Sequence, residues 1–443
     1  MLMADQYTPY VDDHLGHEMH GWCRDLFPIN RSLTGEGNRS TLQYLSARLE
    51  NKLSLMSVST GEVFFDWTVP KEWKVREAWI ADETGNKVVD FVNNNLHLVG
   101  YSQPINQWLD LAHLQTHLHS LPDQPDAIPY VTSYYQPTWG FCLTHNNRNS
   151  LRSGKYHVYI DSELEDGQLD YAEILIPGQT HKEVLLSSYI CHPSLANNEL
   201  SGPVLLTALS RWLLSQSDNY YTYRIVFVPE TIGSIVYIAK NLSRLKKHTY
   251  AGYVITCVGD NNGYSFVPSR NGSTPSDHMA QHILKHSGSD YCKYTWLDRG
   301  SDERQYCAPG IDLPIASVMR SKYGEYAEYH SSLDNLDYIS PQGLKGSFDI
   351  YRRIILGFEA NIYPVSKFLC EPQLGKRNLY NNLSIKSHFN QDTSATLLNI
   401  LTYADGGHTL LDIAEILNIP IWELTVHSKL LVNRGLIDAK RSM

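Results

Sequence analysis

His192 and Glu199 are the first pair of side chains whose types and spacing suit metal chemistry. His192 directly follows an apolar run, VLLSSYIC, that is typical of a strand, and Glu199 lies where the next helix should begin. A loop between a strand end and a helix start can fold both onto one ion, and imidazole nitrogen and carboxylate oxygen are ordinary zinc ligands. The alternative is that Glu199 is only a carboxylate favoured by the helix N-terminus. The spacing alone leaves both interpretations open.

Glu230 ends a second apolar strand, YRIVFVPE, and Gly233 follows it closely. A carboxylate at the tip of a central strand can face a cleft and take a proton from water as a general base. The alternative is a solvated strand end without a catalytic role. We predict that Glu230 is the general base.

His330 lies in a polar loop, EYAEYHSSLDNLDYIS, between the last apolar strand and a long helix. Asp334 follows four residues later and can accept the second ring N–H of His330, a contact that fixes the tautomer of a metal-binding imidazole. Because the chain contains 19 histidines, most of them must be bystanders. A satisfied loop histidine is therefore the alternative interpretation of His330.

A second charged loop, DRGSDERQYCAPGIDLP, places Asp302, Glu303 and Arg304 just before a strand. These charges can bind a substrate or brace the site. Arg320 follows the strand PIASVM and can form a bidentate clamp for a substrate carboxylate. A surface ion pair explains Arg320 equally well.

These residues need a scaffold that brings strand ends together. Between Lys155 and Tyr363 the chain alternates apolar strands with helices, a pattern that predicts a mostly parallel sheet covered by helices on both faces. We therefore predict an α/β class with a three-layer α/β/α architecture. In such sheets sites collect at the carboxyl ends of the strands, which is where the candidate residues fall.

Two other segments do not show this alternation of apolar strands and helices. Residues 61–151 are rich in Trp, Tyr, Asn, Pro and Val and indicate a small β-rich domain. Residues 371–443 contain helix-turn-helix spacing. The last helix of that segment has only Lys429 and Arg434 as fixed positive charges, beside Glu423, which argues against DNA binding and favours packing or a homo-oligomer.

The amino-acid composition further limits the possible classes of protein. The formal net charge of −10 argues against nucleic acid as the main partner. Met1–Val11 is polar and suggests no signal peptide, and no stretch approaches the roughly 18 apolar residues of a membrane-spanning helix. Seven cysteines without paired spacing are typical of free thiols in a reducing compartment. We expect a soluble cytoplasmic protein that does not bind membranes.

The motifs CHPSLANNELSG, VFVPETIGS, YVITCVG and YHSSLDN fall in the order found in the zinc aminopeptidase and glutaminyl cyclase superfamily, which the chain resembles. Longer segments such as FPINRSLTGEGNRSTL and GSDERQYCAPGIDLP resemble a bacterial aminopeptidase-like family of domains of unknown function, associated with polysaccharide biosynthesis. That resemblance implies three parts. They are a peptidase-like domain at residues 1–60 and 152–370, an inserted β domain at 61–151 and a C-terminal winged helix at 371–443.

The resemblance also implies functional positions. The terminal histidines of the superfamily fall on His192 and His330 and its general base on Glu230. The bridging aspartate falls on Asn198, the second glutamate of a pair on Thr231, and the third-strand aspartate on Thr256.

The departures at Asn198, Thr231 and Thr256 leave a simpler site than the two-zinc one. We predict one Zn²⁺ held by His192, Glu199 and His330, with an open position for water. The function that follows is a zinc-dependent, aminopeptidase-like hydrolase. It would cleave an amide or peptide-like bond in a small biosynthetic molecule or a short peptide-like substrate. The alternative is a catalytically degenerate binding or assembly protein with the same fold.

Overall fold

The computed structural model describes residues 14–379 and 393–441, so that the polar segment Met1–Val11 lies outside the described residues. The described chain divides into two units. The larger unit comprises residues 14–277 and 292–348, and the smaller unit comprises residues 278–291 and the described residues from 349 onward. No described helix is both long enough and apolar enough to cross a lipid bilayer.

An eight-stranded sheet confirms the predicted α/β class. Its order is β1-β10-β12-β11-β13-β16-β14-β15. Strands β12, β11, β13 and β16 run parallel, while β1, β10 and β14 pair antiparallel with their neighbours. The strands of this sheet are β1 Ser54–Ser59, β10 Gln168–Ile176, β11 Glu183–Tyr189, β12 Thr222–Val228, β13 Thr249–Val254, β14 Tyr264–Val267, β15 Tyr291–Lys293 and β16 Ile315–Met319.

Every residue of β11 and β12 is buried, which indicates that helices cover both faces of this sheet. One group of helices, α1, α2 and α5, packs together, and α6 packs with α8 and against β10, β12 and β13. The helices are α1 Leu15–Leu26, α2 Glu36–Arg48, α3 Leu111–Gln115, α4 His145–Ser150, α5 Ser201–Leu214, α6 Ile232–His248, α7 Pro275–Lys285, α8 Glu303–Tyr306 and α9 Pro341–Ala360. A single π-helical turn, Ala196–Leu200, precedes α5.

A second, antiparallel sheet has the order β5-β4-β9-β6. It contains β9, Lys155–Glu165, so the β-rich region continues past the predicted boundary at residue 151. The alternation of side chains along β9 could not reveal which sheet the strand joins. The remaining strands of this region are β2 Val63–Phe64, β3 Trp67–Thr68, β4 Glu72–Asp82, β5 Lys87–Asp90, β6 Ile105–Asp110, β7 Leu118–His119 and β8 Phe141–Cys142.

The C-terminal part of the smaller unit has three helices and a two-stranded antiparallel sheet. Strand β17, Tyr363–Ser366, pairs with β18, Ile437–Lys440, so this fold begins before the predicted boundary at residue 371. The helices are α10 Thr393–Thr402, α11 Leu410–Leu417 and α12 Ile421–Asn433. Helix α11 begins with a capping box, in which Thr409 and Asp412 satisfy each other's backbone N–H groups.

Candidate active site

The carboxyl ends of β11 and β12 meet at one edge of the main sheet, as parallel strands require. His192 follows β11, and Glu230 follows β12. Both line a cavity of about 330 Å³, together with His330 from the polar loop after β16. The other lining residues are Leu33, Trp67, Tyr130, Thr132, Tyr134, Tyr135, Cys191, Thr231, Ile232 and Arg304.

The two ring nitrogens of His192 have different partners. Nδ1 lies 2.7 Å from Glu199 Oε2, and Nε2 lies 3.6 Å from Glu230 Oε2. Burial lowers the pKa of His192, but the hydrogen bond and charge of Glu199 outweigh it, so the pKa is raised above its ordinary value. The carboxylate of Glu199 thus holds Nδ1 as the N–H donor and leaves Nε2 directed at the cavity.

Glu199 therefore does not occupy the position predicted for it. It contacts the Nδ1 edge of His192, whereas the cavity lies on the Nε2 edge, and it is not among the cavity-lining residues. The three predicted ligands therefore do not surround one metal position. They are His192, Glu199 and His330. The spacing of two residues in the sequence cannot show which edge of an imidazole ring a carboxylate contacts.

Arg31 supports this arrangement from the core and was not found from the sequence. Its Nε donates to the backbone oxygen of His192 at 3.0 Å and lies 3.8 Å from Glu199 Oε1. Both the Arg31 and Glu199 side chains are 0% exposed. Burial lowers the pKa of Arg31, and the charge of Glu199 opposes this. The segment FPINRSLTG carries no periodic signal that marks one arginine as buried.

Glu230 lies at the point where β12 turns into α6. Its backbone N–H donates to Cys191 Sγ at 3.2 Å, which connects this turn to the residue before His192. Burial raises the pKa of Glu230 above its ordinary value, while the charge of His192 partly offsets the change. A carboxylate with a raised pKa accepts a proton more readily, as a general base requires.

His330 meets the same cavity from the opposite loop. Its backbone is in the left-handed region, with φ of 55°, and its ring centroid lies 5.5 Å from that of His192. Nε2 of His330 is buried and has no hydrogen-bond partner among the described residues. Burial lowers the pKa of His330 to about 3, so the ring is neutral and its lone pair is available to a ligand.

The prediction that Asp334 orients His330 is wrong. The Asp334 carboxylate instead accepts the backbone N–H groups of Asn197 at 2.6 Å and Asn198 at 2.9 Å. Tyr326 donates its hydroxyl to the same carboxylate at 3.1 Å. Asp334 therefore holds the π-helical turn that carries Glu199, and burial raises its pKa to about 6.

The loop that carries His330 is held by the β-rich region. Tyr130 donates its backbone N–H to the His330 carbonyl at 2.8 Å, and Ile128 and Ser332 exchange hydrogen bonds beside it. The Tyr130 ring lies 5.1 Å from that of His192 and 5.2 Å from that of His330, measured between centroids. The β-rich region thus forms one wall of the cavity.

The three positions where the resemblance implies carboxylates are occupied by neutral groups. The hydroxyl of Tyr189 contacts Thr256 Oγ1 at 2.6 Å and accepts Asn198 Nδ2 at 2.8 Å. Asn198 and Thr256 are therefore joined in one buried, uncharged hydrogen-bond cluster. At the third position, Thr231 Oγ1 accepts Arg304 Nη2 at 2.7 Å.

Asp302 and Arg304 behave differently although they are close in sequence. Asp302 is buried, and its Oδ1 accepts the N–H of Thr231 at 2.7 Å and the hydroxyl of Ser234 at 2.9 Å. Burial, followed by the charge of Glu230, raises the pKa of Asp302 to about 8. Asp302 therefore braces the turn after Glu230, whereas Arg304 lines the cavity directly.

Arg320 does not reach the cavity. Its guanidinium donates to the backbone oxygens of Asn262 at 3.0 Å and Gly343 at 3.3 Å, and lies 4.1 Å from the centroid of the Tyr264 ring. It connects the loop at Asn262 to the first turn of α9. The predicted substrate clamp at Arg320 is therefore not present in this structure.

The residues that line the cavity include the side-chain types that bind a divalent ion. They are the imidazoles of His192 and His330, and zinc accepts imidazole nitrogen. The Glu230 carboxylate lies beside them, with Oε2 3.6 Å from Nε2 of His192. Cys191 Sγ lies within 4.8 Å of the donor atoms of His192 and Glu199. Burial raises the pKa of the Cys191 thiol well above its ordinary value.

The fold is similar to that of solved aminopeptidase structures. A peptidase M28 precursor from Shewanella amazonensis aligns with a TM-score of 0.58 and 12% identity, over 80% of this chain and 94% of that one. A zinc aminopeptidase from Bacillus subtilis aligns with a TM-score of 0.56 and 11% identity, over 77% of this chain and 94% of that one. At these identities the likeness establishes the fold.

The chain belongs to the DUF4910 family, a domain of unknown function whose model matches residues 20–361. A winged helix-turn-helix model matches residues 361–439. These matches confirm the family resemblance and the C-terminal winged helix.

Two matches from Clostridium acetobutylicum, one to a curated sequence and one to a solved structure, cover nearly the whole chain. One is a "putative polysaccharide biosynthesis protein with aminopeptidase-like domain", 42% identical over 413 residues, which are 93% of this chain and 94% of the relative. The other is the crystal structure of a "putative peptidase", with 38% identity and a TM-score of 0.90, covering 96% of this chain and 97% of that one.

Proposed function

We propose that the cavity is the active site of a zinc-dependent hydrolase that cleaves an amide or peptide-like bond in a small substrate. One observation carries the proposal. His192 is oriented through Nδ1 by buried Glu199, and its Nε2 faces a cavity that is also lined by Glu230 and His330. Nε2 of His330 has no hydrogen-bond partner in the described part of the chain. Two imidazoles beside a carboxylate of raised pKa are the parts that metal-assisted hydrolysis needs.

His192 and His330 are the groups that would hold the ion. Glu199 is not a third ligand, because it orients His192 through a hydrogen bond at Nδ1. When bound, Zn²⁺ supplies Lewis-acid polarisation of the substrate carbonyl. The fold of the zinc aminopeptidases supports this choice of metal. The neutral cluster of Asn198, Thr256 and Tyr189 supports one ion rather than two.

Glu230 is the group that moves the proton. It removes a proton from water as the water oxygen bonds to the amide carbon, and it later donates that proton to the leaving nitrogen as the C–N bond breaks. The products are a carboxylic acid and an amine, so atoms and charges balance. Arg304 lines the cavity beside Thr231 and presents its remaining N–H groups to the substrate.

We also infer a cytoplasmic setting and a biosynthetic role. Five of the seven cysteines are buried and all seven are free, which fits a reducing compartment. The name of the Clostridium acetobutylicum relative supports a biosynthetic substrate. Helix α12 carries Glu423 beside its few positive charges, which argues against DNA as a partner.

Chelation tests the proposed function directly. We expect ortho-phenanthroline to abolish hydrolysis of a panel of amino-acid amides and acylated amines, and added Zn²⁺ to restore it. The matched control is the non-chelating meta isomer of phenanthroline, which should leave the rate unchanged. Hydrolysis that persists after verified removal of the metal would contradict the proposal.

A further inference from the structure

A second and larger cavity, of about 570 Å³, adjoins the candidate active site. Tyr134 and Tyr135 line both cavities. The Tyr135 ring is held by an edge contact with Trp67, at 5.8 Å between centroids, and is 54% exposed. A substrate that reaches the histidines can therefore extend past these tyrosines into the second cavity.

The surface of the second cavity is mainly apolar, and its lining is nearly uncharged. Hydroxyl and amide groups come from Thr60, Thr68, Gln103, Ser133 and Gln136. Among its described lining residues the one charged side chain is Lys71, whose Nζ lies 4.0 Å from Asp166 Oδ1 outside the lining. A cavity with no carboxylate in its lining offers little to a positively charged peptide terminus.

Aromatic rings beside hydroxyl and amide groups suit one kind of neutral ligand. A pyranose ring presents C–H groups on its faces and hydroxyl groups around its edge. The face of Tyr135 can pack against the former, and the amides can exchange hydrogen bonds with the latter. The volume falls within the range typical of cavities that enclose small organic ligands.

We infer that the second cavity binds the sugar part of an N-acylated amino sugar whose amide enters the candidate active site. This inference rests on the proposed function, because it names the substrate class of the same site. Water would add to the acyl carbon and the C–N bond would break, leaving a free carboxylic acid and an amino group on the sugar. No oxidant, reductant or second substrate is needed.

Binding is measured by isothermal titration calorimetry on the full-length Glu230→Gln protein, which prevents turnover during the titration. The probes are N-acetylglucosamine, its β-linked dimer and, as a neutral peptide-like comparison, N-acetylalanine methylamide. We expect the saccharides to bind and the dimer to bind more tightly than the monomer, since it reaches further into the second cavity. Equal or tighter binding of the peptide-like probe would overturn the sugar assignment.

Two aromatic variants locate the binding. Tyr135→Ala should weaken binding of the dimer by about tenfold, the loss of one aromatic contact. Trp108→Ala is the matched control, because Trp108 is 53% exposed in the same region and lines neither cavity. Unchanged binding in Tyr135→Ala, or equal loss in both variants, would contradict the inference.

Different results would contradict the sugar assignment and the proposed hydrolase function. If the sugars do not bind but acylated amines are hydrolysed in a metal-dependent manner, the sugar assignment is wrong and the proposed function stands. If the sugars bind with the expected dependence on Tyr135 but no amide is cleaved, the proposed hydrolase is wrong and the chain is a sugar-binding protein.

Discussion

Glu230→Gln is expected to lower the rate of amide hydrolysis by about 10²–10⁴-fold, the contribution of a positioned general base. Gln keeps the size of the side chain but cannot accept the proton of the attacking water. The effect should appear mainly in kcat, because the carboxylate acts on the water rather than on substrate binding. The measurement is steady-state hydrolysis of an acylated amine by the zinc-loaded protein.

Two controls make this result specific. Glu325→Gln changes a largely exposed carboxylate of the same unit, paired at 3.7 Å with Lys322, and should leave kcat unchanged. Zinc content should be the same in the wild type and in Glu230→Gln. If Glu230→Gln loses the metal as well as activity, Glu230 is a ligand and its assignment as base is wrong.

Glu199→Ala is expected to destabilise the folded protein by about 3–5 kcal/mol, the typical cost of removing one partner of a buried ion pair. It leaves the Arg31 guanidinium without its nearby charge and removes the acceptor of the His192 Nδ1–H. Loss of that acceptor should also weaken zinc binding about 10–100-fold. Denaturant unfolding and zinc titration measure the two effects separately.

Glu199→Gln separates the roles of shape and charge. The amide oxygen can still accept from His192 Nδ1, so the ring should stay oriented and zinc binding should be retained better than in Glu199→Ala. Full zinc affinity in Glu199→Ala would show that Glu199 does not orient His192. A complete loss of zinc in Glu199→Gln, at normal stability, would instead favour Glu199 as a direct ligand.

His192 and Glu230 follow strand ends, as the sequence indicated, and both line the cavity. Apolar runs of buried parallel strands are easy to recognise, and the polar residue after each run must lie at the same edge of the sheet. His330 was found through its polar loop and the motif around it. The class of fold and the family followed from the same segments.

The errors arose where contacts depend on three-dimensional direction. Asp334 lies four residues after His330, yet its carboxylate turns to the backbone of Asn197 and Asn198. Glu199 meets the rear edge of His192 rather than the cavity. Neither choice is encoded in spacing, because a loop can present a side chain in either direction.

Residues supplied from distant parts of the chain were missed for a related reason. Arg31 reaches His192 from the segment between α1 and α2, and Tyr130 reaches it from the β-rich region. Each contact joins residues more than sixty positions apart in the chain, and neither residue has a local pattern that distinguishes it from other arginines or tyrosines. Only the folded arrangement shows that they surround the same histidine.

Zinc stoichiometry by elemental analysis tests the central claim most directly. The wild-type protein is compared with His192→Ala, His330→Ala and the control His181→Ala, which changes an exposed histidine. We predict about one zinc per chain in the wild type and control and its loss in the two site variants. No zinc in the wild type, even after incubation with the metal, would contradict the hydrolase and favour a binding or assembly protein with this fold.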